Sequence, residues 1–159
     1  MKGIYRGLGY VIAAEVAIQA AAMVYAVAGL GIWVENDGGV LDKAAFESED
    51  TLFPEIVGFM IHGINGMMVI PALALIFLLV SFFAKIPGGV KWAGLVLLAV
   101  VLQVALGLFG HENAIFGALH GLNALLLFGL AVMAGKRVSS VTTTVERSDR
   151  ELVTSSPRR

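Results

Sequence analysis

Cysteine is absent from this chain of 159 residues. That absence excludes disulfides, thiolate zinc sites, iron–sulfur clusters and the CxxCH motif that attaches heme covalently. Any metal in this protein must therefore be held by histidine, carboxylate or amide groups.

Charged residues are also scarce, at 14% of the chain with a net charge of -1, against roughly 25% charged in ordinary soluble domains. The sequence has no cluster of basic residues to neutralise phosphates, which excludes nucleic acid as a partner. Hydrophobic residues make up 58% of the chain, more than a soluble core of this length can bury. We therefore predict an integral protein of the cell (plasma) membrane, with the lipid bilayer as its solvent.

Four apolar stretches predict an all-α bundle of four membrane-crossing helices, since each crossing needs about 20 apolar residues. The first stretch is too long for a cleaved signal peptide. An acidic extracytoplasmic loop at 35–54 follows helix one, and a Ser/Thr-rich stretch at 138–159 is predicted to be a mobile cytoplasmic tail. The four helices are expected within one bundle domain, 1–137, at about 5–34, 55–84, 90–110 and 114–135.

The basic residues predict the orientation of the bundle, because short loops rich in Lys and Arg remain in the cytoplasm. Both termini are expected on the cytoplasmic side, and the acidic loop and the connection at His111 on the outer side. The basic residues that fall on one side are Lys2, Arg6, Lys85, Lys91, Lys136 and Arg137.

The pattern H-G-x-N occurs twice, at 62–65 in helix two and at 120–123 in helix four. Both helices descend from the outer face, so the two histidines are expected at similar depth. The chain thus resembles two parallel-repeat hairpins related by an axis along the membrane normal. This relation places His62 and His120 across the bundle from each other, as ligation of one heme iron from both sides requires. Zinc is disfavoured, because two imidazoles leave its tetrahedral shell incomplete.

Small residues flank each histidine by one helical turn, which makes room for a flat porphyrin between the helices. The alternative is that they form ordinary close-packing motifs of membrane helices. These residues are Gly58 and Gly66 in helix two and Gly117 and Ala124 in helix four, where Gly121 also lies directly after His120.

Two asparagines, Asn65 and Asn123, lie three residues after the histidines. Each faces roughly the same side as its histidine and is a candidate to hydrogen-bond a heme propionate, a neighbouring helix or the other histidine. Such bonds fix the orientation of an imidazole ligand.

Four further polar residues are candidates for a proton relay. Glu15 and Gln19 share one face of helix one, and a carboxylate inside a membrane is costly and suggests function. Gln103 occupies the matching position in helix three, and His111 lies at the outer mouth. For each residue a plain structural role, by interhelical hydrogen bonding or as a polar boundary residue, is the alternative.

The stretch 102–107, His111 and the stretch 119–121 resemble part of the heme A synthase family, which is built from two four-helix halves. The resemblance covers helices two to four, more weakly helix one, and implies a b-type heme with His62 and His120 as axial ligands. The family's catalytic half carries a Glu three residues before its helix-two histidine and an Arg just after it, and its extracellular cysteines are conserved. Here those two positions hold Phe59 and Gly63, so oxidation of a heme methyl group is not expected.

We therefore expect a heme b-binding membrane protein in electron transfer or heme handling, rather than an enzyme by itself. A redox protein or a quinone is the expected partner, and a homodimer or larger membrane complex stays open. Two alternatives remain: a cofactor-free accessory or assembly subunit, and a transporter of a small solute or protons.

Overall fold

The computed structural model describes residues 1–48 and 51–155, with the backbone alone at residue 46 and at 139–155. Within these ranges it is all-helical and contains no strand, which confirms the predicted class. A 3₁₀ turn at Pro54–Ile56 and a π-turn at Asn65–Val69 accompany the α-helices. The α-helices are α1 (Lys2–Asn36), α2 (Lys43–Glu47), α3 (Val57–Ile64), α4 (Ile70–Ala84), α5 (Gly89–Gly110) and α6 (Ala114–Ser155).

Four helical segments in the described part of the chain are long and apolar enough to cross a membrane. Their mean hydropathy lies between 1.9 and 2.7, and at most 28% of the most apolar window of each is buried. The apolar side chains therefore face outward, as helices in lipid require and as helices in water avoid. The segments are Lys2–Asn36, Pro54–Ala84, Gly89–Gly110 and Ala114–Val138.

The four long segments contact one another in a closed ring. α1 packs against α6 and against α3 and α4, α4 packs against α5, and α5 packs against α6. The segment made of α3 and α4 is consequently diagonal to α6. A residue on α3 and one on α6 therefore meet only by pointing into the middle of the bundle.

The well-packed core lies at the end of the bundle that carries the N-terminus and the turn at 85–88, here named the terminal half. Tyr5 is fully buried against Phe77, with ring centres 4.5 Å apart. Its hydroxyl donates to the carbonyl oxygen of Gly89 over 3.0 Å. Gly9 lets α1 approach α6, since a Cβ there would lie 2.9 Å from the carbonyl oxygen of Ala131.

The opposite end, here named the loop half, is packed much less tightly. No residue between 101 and 122, a range the structure describes completely, is buried. In this half α3 lies on α1, where Gly58 faces Ala22 and Ala26 so closely that any Cβ would overlap the Ala22 carbonyl oxygen. The buried core is therefore concentrated at one end of the bundle, while most side chains at the other end are exposed.

Helix boundaries differ from the sequence-based expectation in two places. The predicted end of helix four at about Gly135 is wrong for the backbone, which remains α-helical to Ser155. Lys and Arg are good helix formers, so Lys136 and Arg137 do not end the helix. Side chains from 139 onward and all of residues 156–159 lie outside the described residues, and the mobility of the tail stays a prediction.

The acidic loop is not wholly irregular. It contains α2, whose first turn is capped by Asp42: the backbone N–H of Ala45 donates to its side chain over 2.9 Å. Residues 49 and 50 of the loop lie outside the described residues. At the base of the loop, Trp33 stacks on Phe53 with ring centres 5.6 Å apart.

A π-turn interrupts the second spanning segment at Asn65–Val69. The backbone N–H of Ile70 donates to the carbonyl of Asn65, five residues earlier. Pro71 follows directly, and its missing N–H removes one bond from the α-helical ladder. The π-turn therefore lies where the regular ladder is weakest.

The buried hydroxyl of Tyr5 generates a stability prediction. Tyr5→Phe removes the bond to Gly89 and should lower the free energy of unfolding by about 1 kcal/mol. Tyr25, which is 52% exposed, provides the matched control, and Tyr25→Phe should have no measurable effect. Denaturant titration of the detergent-solubilised protein, followed by circular dichroism, checks both; equal losses in the two variants would contradict the prediction.

Candidate histidine site

The rings of His62 and His120 face each other in the middle of the bundle. His62 is carried by α3 and His120 by α6, the two diagonal elements. Their ring centres lie 5.9 Å apart and the ring planes make an angle of 59°. Both residues are half-buried, at the level where the packed terminal half gives way to the open loop half.

Each imidazole is held at Nδ1 by a backbone carbonyl of another long helix, α1 for His62 and α5 for His120. Nδ1 of His120 lies 2.9 Å from the carbonyl oxygen of Gln103, and Nδ1 of His62 lies 3.3 Å from that of Gln19. A carbonyl oxygen only accepts, so each contact requires the proton on Nδ1 and leaves the lone pair on Nε2. When the Gln19 amide is oriented so that both its oxygen and its nitrogen have partners, its nitrogen lies 2.7 Å from His62 Nδ1. In the other tautomer of His62, Nδ1 would accept a hydrogen bond from this nitrogen.

The two glutamines bridge the histidine and the asparagine of each H-G-x-N pattern. The amide nitrogen of Gln103 donates to the carbonyl oxygen of His120 over 3.0 Å, and its oxygen accepts from Asn123 Nδ2 over 2.6 Å. The amide of Gln19 makes the same two bonds: it donates to the His62 carbonyl over 3.1 Å and accepts from Asn65 Nδ2 over 3.0 Å. We call each set a Gln–His–Asn cluster.

The asparagines bind a neighbouring helix, one of the three alternatives that the sequence left open. Asn123 Nδ2 also donates to the backbone carbonyl oxygen of Ala99 over 2.9 Å. Asn65 Nδ2 donates instead to the carboxylate of Glu15 over 2.8 Å. The side-chain oxygen of Asn123 is buried and receives no hydrogen bond from the described residues.

The predicted glycines divide into two kinds. A Cβ at Gly117 or at Gly121 would meet nothing within 4 Å, although the Gly117 backbone itself packs on α5, 3.3 Å from where a Cβ at Gly110 would lie. Gly66, by contrast, faces the Gln19 amide, with an ideal Cβ 3.6 Å from it, and Gly58 packs on α1. The glycines of helix two therefore fit the alternative of close helix packing, because they let α1 and Gln19 approach helix two.

A further glycine, Gly107, was missed by the sequence reasoning. A Cβ there would lie 3.1 Å from both Nδ1 and Cε1 of His120, so the ring occupies space that any side chain would fill. The signal was present, because Gly107 lies one turn after Gln103 on the same face of α5.

The candidate relay residues do not form one continuous group. Glu15 joins Gln19 through Asn65, and Gln103 belongs to the other cluster. His111 is exposed at the end of α5, eight residues beyond Gln103, which corresponds to about 12 Å along a helix. The structure therefore does not bring His111 to the histidine pair.

Within the described residues no group of three or more His, Cys, Asp or Glu side chains could hold a metal ion. The site offers two imidazoles and otherwise amides, backbone carbonyls and apolar groups. Such a donor set suits an ion whose remaining ligands come from elsewhere.

No protein-family model, no curated protein and no solved structure matches this chain. The similarity of its motifs to the heme A synthase family accordingly stays a prediction.

The bridging role of the glutamines predicts a cost for losing them. Gln103→Leu removes a donor to His120 and an acceptor for the buried Asn123, so it should lower the free energy of unfolding by about 1–3 kcal/mol. Gln19→Leu should lose a similar amount, because the contacts match. Val101→Ala, at a 59% exposed neighbouring position, serves as control. Unfolding midpoints in detergent check this; glutamine variants as stable as the control would show that the clusters contribute nothing.

Proposed function

We propose that this protein binds a b-type heme between His62 and His120 and acts in electron transfer or heme handling. The observation that carries the proposal is the 5.9 Å separation of the two rings. An imidazole nitrogen binds a metal at about 2 Å and lies about 1 Å from its ring centre, so two imidazoles on opposite sides of one ion have centres about 6 Å apart. The 59° angle is compatible, because each ring can rotate about its own metal bond.

The hydrogen bonds at Nδ1 support the same assignment. An imidazole that ligates iron through Nε2 must carry its proton on Nδ1, and a backbone carbonyl commonly accepts it. At His120 the carbonyl of Gln103 is positioned for that role. At His62 the carbonyl of Gln19 is in reach as well, so iron at Nε2 would select the donating tautomer over the one that accepts from the glutamine amide.

A porphyrin suits the donor set better than a bare ion does. Zinc needs about four protein or water ligands, whereas heme iron brings four nitrogens and needs only two axial ones. The loop half also suits a flat group, because Gly117 and Gly121 present no side chain and nothing between 101 and 122 is buried.

When bound, such a heme supplies one-electron redox chemistry. The residues of this chain would hold and tune it. The Gln19 and Gln103 carbonyls fix the imidazole planes, and the apolar helices exclude water from the site. No general base is required for electron transfer, so the polar residues of the clusters act by positioning.

The finer topology belongs to the same proposal. Two parallel-repeat hairpins account for the matching contacts of the two Gln–His–Asn clusters. We propose that both termini face the cytoplasm in the plasma membrane, because the basic residues gather at the terminal end and the acidic loop at the other. The heme would then lie towards the outer leaflet, and a redox protein or a quinone must exchange electrons with it.

The proposal stops short of heme A synthase chemistry. Phe59 and Gly63 replace the Glu and Arg of that family's catalytic half, and Phe59 is only half-buried on α3. Neither residue can move a proton or stabilise a charge. We therefore propose heme binding and electron transfer at the heme iron, without oxidation of a heme methyl group.

The main rival is a cofactor-free assembly subunit. The two Gln–His–Asn clusters already tie α1 to α3 and α5 to α6 by hydrogen bonds alone. In that case the two histidines would be structural. The heme-binding protein and the assembly subunit differ in one testable respect. Only heme binding gives a coloured protein, and it requires each imidazole.

Absorption spectroscopy separates them. Protein produced with ample heme and purified in detergent should show a Soret band and bind about one heme per chain. His62→Ala and His120→Ala should each abolish or strongly shift the band, because each removes one axial ligand.

The third histidine is the matched control, since His111 is exposed and remote from the pair. His111→Ala should leave the spectrum unchanged. A colourless folded wild-type protein would overturn the heme proposal and favour the assembly subunit, as would a Soret band that survives both ligand substitutions.

A further inference from the structure

One carboxylate breaks the match between the two Gln–His–Asn clusters. Asn123 satisfies its Nδ2 with the backbone carbonyl of Ala99, four residues before Gln103. The matching position, four residues before Gln19, is Glu15, whose side chain accepts from Asn65. The other cluster thus shows that an asparagine here needs no carboxylate. Glu15 is surplus to the packing, and a carboxylate inside a membrane segment is costly.

A second difference lies at the same place. The helix of His62 changes to a π-turn at Asn65–Val69, whereas α6 continues as a regular α-helix through the matching residues 123–127. Single π-turns inside α-helices are often found at functional sites. Both differences between the two Gln–His–Asn clusters therefore lie on one side of the first hairpin.

These two features border one groove on the outside of the bundle. It has a volume of about 410 Å³ and is lined by Glu15, Met60, Ile61, Ile64, Asn65 and Val69. The isoleucines are well exposed, Ile64 to 60%, so the groove is open to lipid along an apolar wall with polar groups at its base. Asn65 binds one oxygen of Glu15, and no described residue donates to the other.

We propose that this groove binds the head group of a lipid-soluble hydroquinone, with a ring hydroxyl donating to the free carboxylate oxygen of Glu15. A ligand that reaches the groove through the bilayer must be apolar, and one that satisfies a carboxylate must bring a hydrogen-bond donor. A hydroquinone carries both an aromatic ring and two hydroxyls. The choice of this class over other lipid-soluble hydroxyl compounds rests on the proposed electron-transfer function, since Asn65 joins the groove to the cluster of His62.

Equilibrium binding of a radiolabelled decyl hydroquinone tests the proposal. The full-length protein in phosphatidylcholine nanodiscs, kept reduced under argon, should bind about one molecule per chain with saturation. Glu15→Gln should weaken binding about tenfold, because one carboxyl oxygen becomes an NH2 group, which cannot accept a hydrogen bond from the ring hydroxyl. The dimethyl ether of the same compound lacks both hydroxyl donors. It should bind the wild-type protein no more tightly than the hydroquinone binds the Glu15→Gln variant.

The two hairpins provide a matched steric control. Ile64 and Leu122 are each two residues after their histidine and are exposed to 60% and 64%. Ile64→Trp fills the groove and should abolish saturable binding, whereas Leu122→Trp should leave it unchanged. Circular dichroism and thermal unfolding of both variants establish that each is folded.

Several outcomes would overturn the proposal. Equal effects of the two tryptophan variants, or uptake that never saturates, would show partition into the bilayer without a site. Full-strength binding of the dimethyl ether would exclude the hydroxyl contact, and equal competition by decanol would show a site for any lipid hydroxyl. A colourless protein that still binds hydroquinone would refute the proposed heme but not the proposed groove site. A heme-loaded protein that binds no hydroquinone would refute the groove site but not the heme.

Discussion

The contact between a helix carbonyl and an imidazole Nδ1, made once in each half of the bundle, constrains the whole site. It fixes the direction of each ring, and both rings then point to the middle at the depth where tight packing ends. A histidine inside a membrane is costly unless its ring nitrogens find partners. At His120 this partner is the Gln103 carbonyl, and at His62 it is the carbonyl or the side-chain amide of Gln19. The two rings are therefore held in place by α5 and α1.

Much of this arrangement could be predicted from the sequence, because hydrophobic length and repeated motifs are one-dimensional signals. The four long apolar helices and the similar level of the two histidines follow from counting residues along helices. The pairing of Gln103 with His120 was only partly foreseeable. The spacing along the chain indicates the level of Gln103 on its helix. The direction of the Gln103 side chain depends on how α5 is rotated against α6, which the spacing does not determine.

Other features arise from contacts that the sequence does not display. Gly107 matters because an imidazole from another helix occupies its missing side chain. The helix continues beyond Lys136 because Lys and Arg are good helix formers. For the glycines of helix two the sequence leaves open either room for a porphyrin or close packing, and Gly58 receives α1. The same residue type provides either open space or close contact, and only the packing partner decides which.

The division of the bundle into a packed half and an open half also bears on what the protein can do. A core of small and aliphatic residues at one end, with Tyr5 bonded to Gly89 at its base, keeps four helices in a fixed register. The loop half can then hold side chains whose role is not packing. Because the two Gln–His–Asn clusters match so closely, each difference between them is informative. Glu15 and the π-turn concentrate those differences beside His62, so the surroundings of the two imidazoles differ although each glutamine binds its histidine carbonyl and its asparagine in the same way.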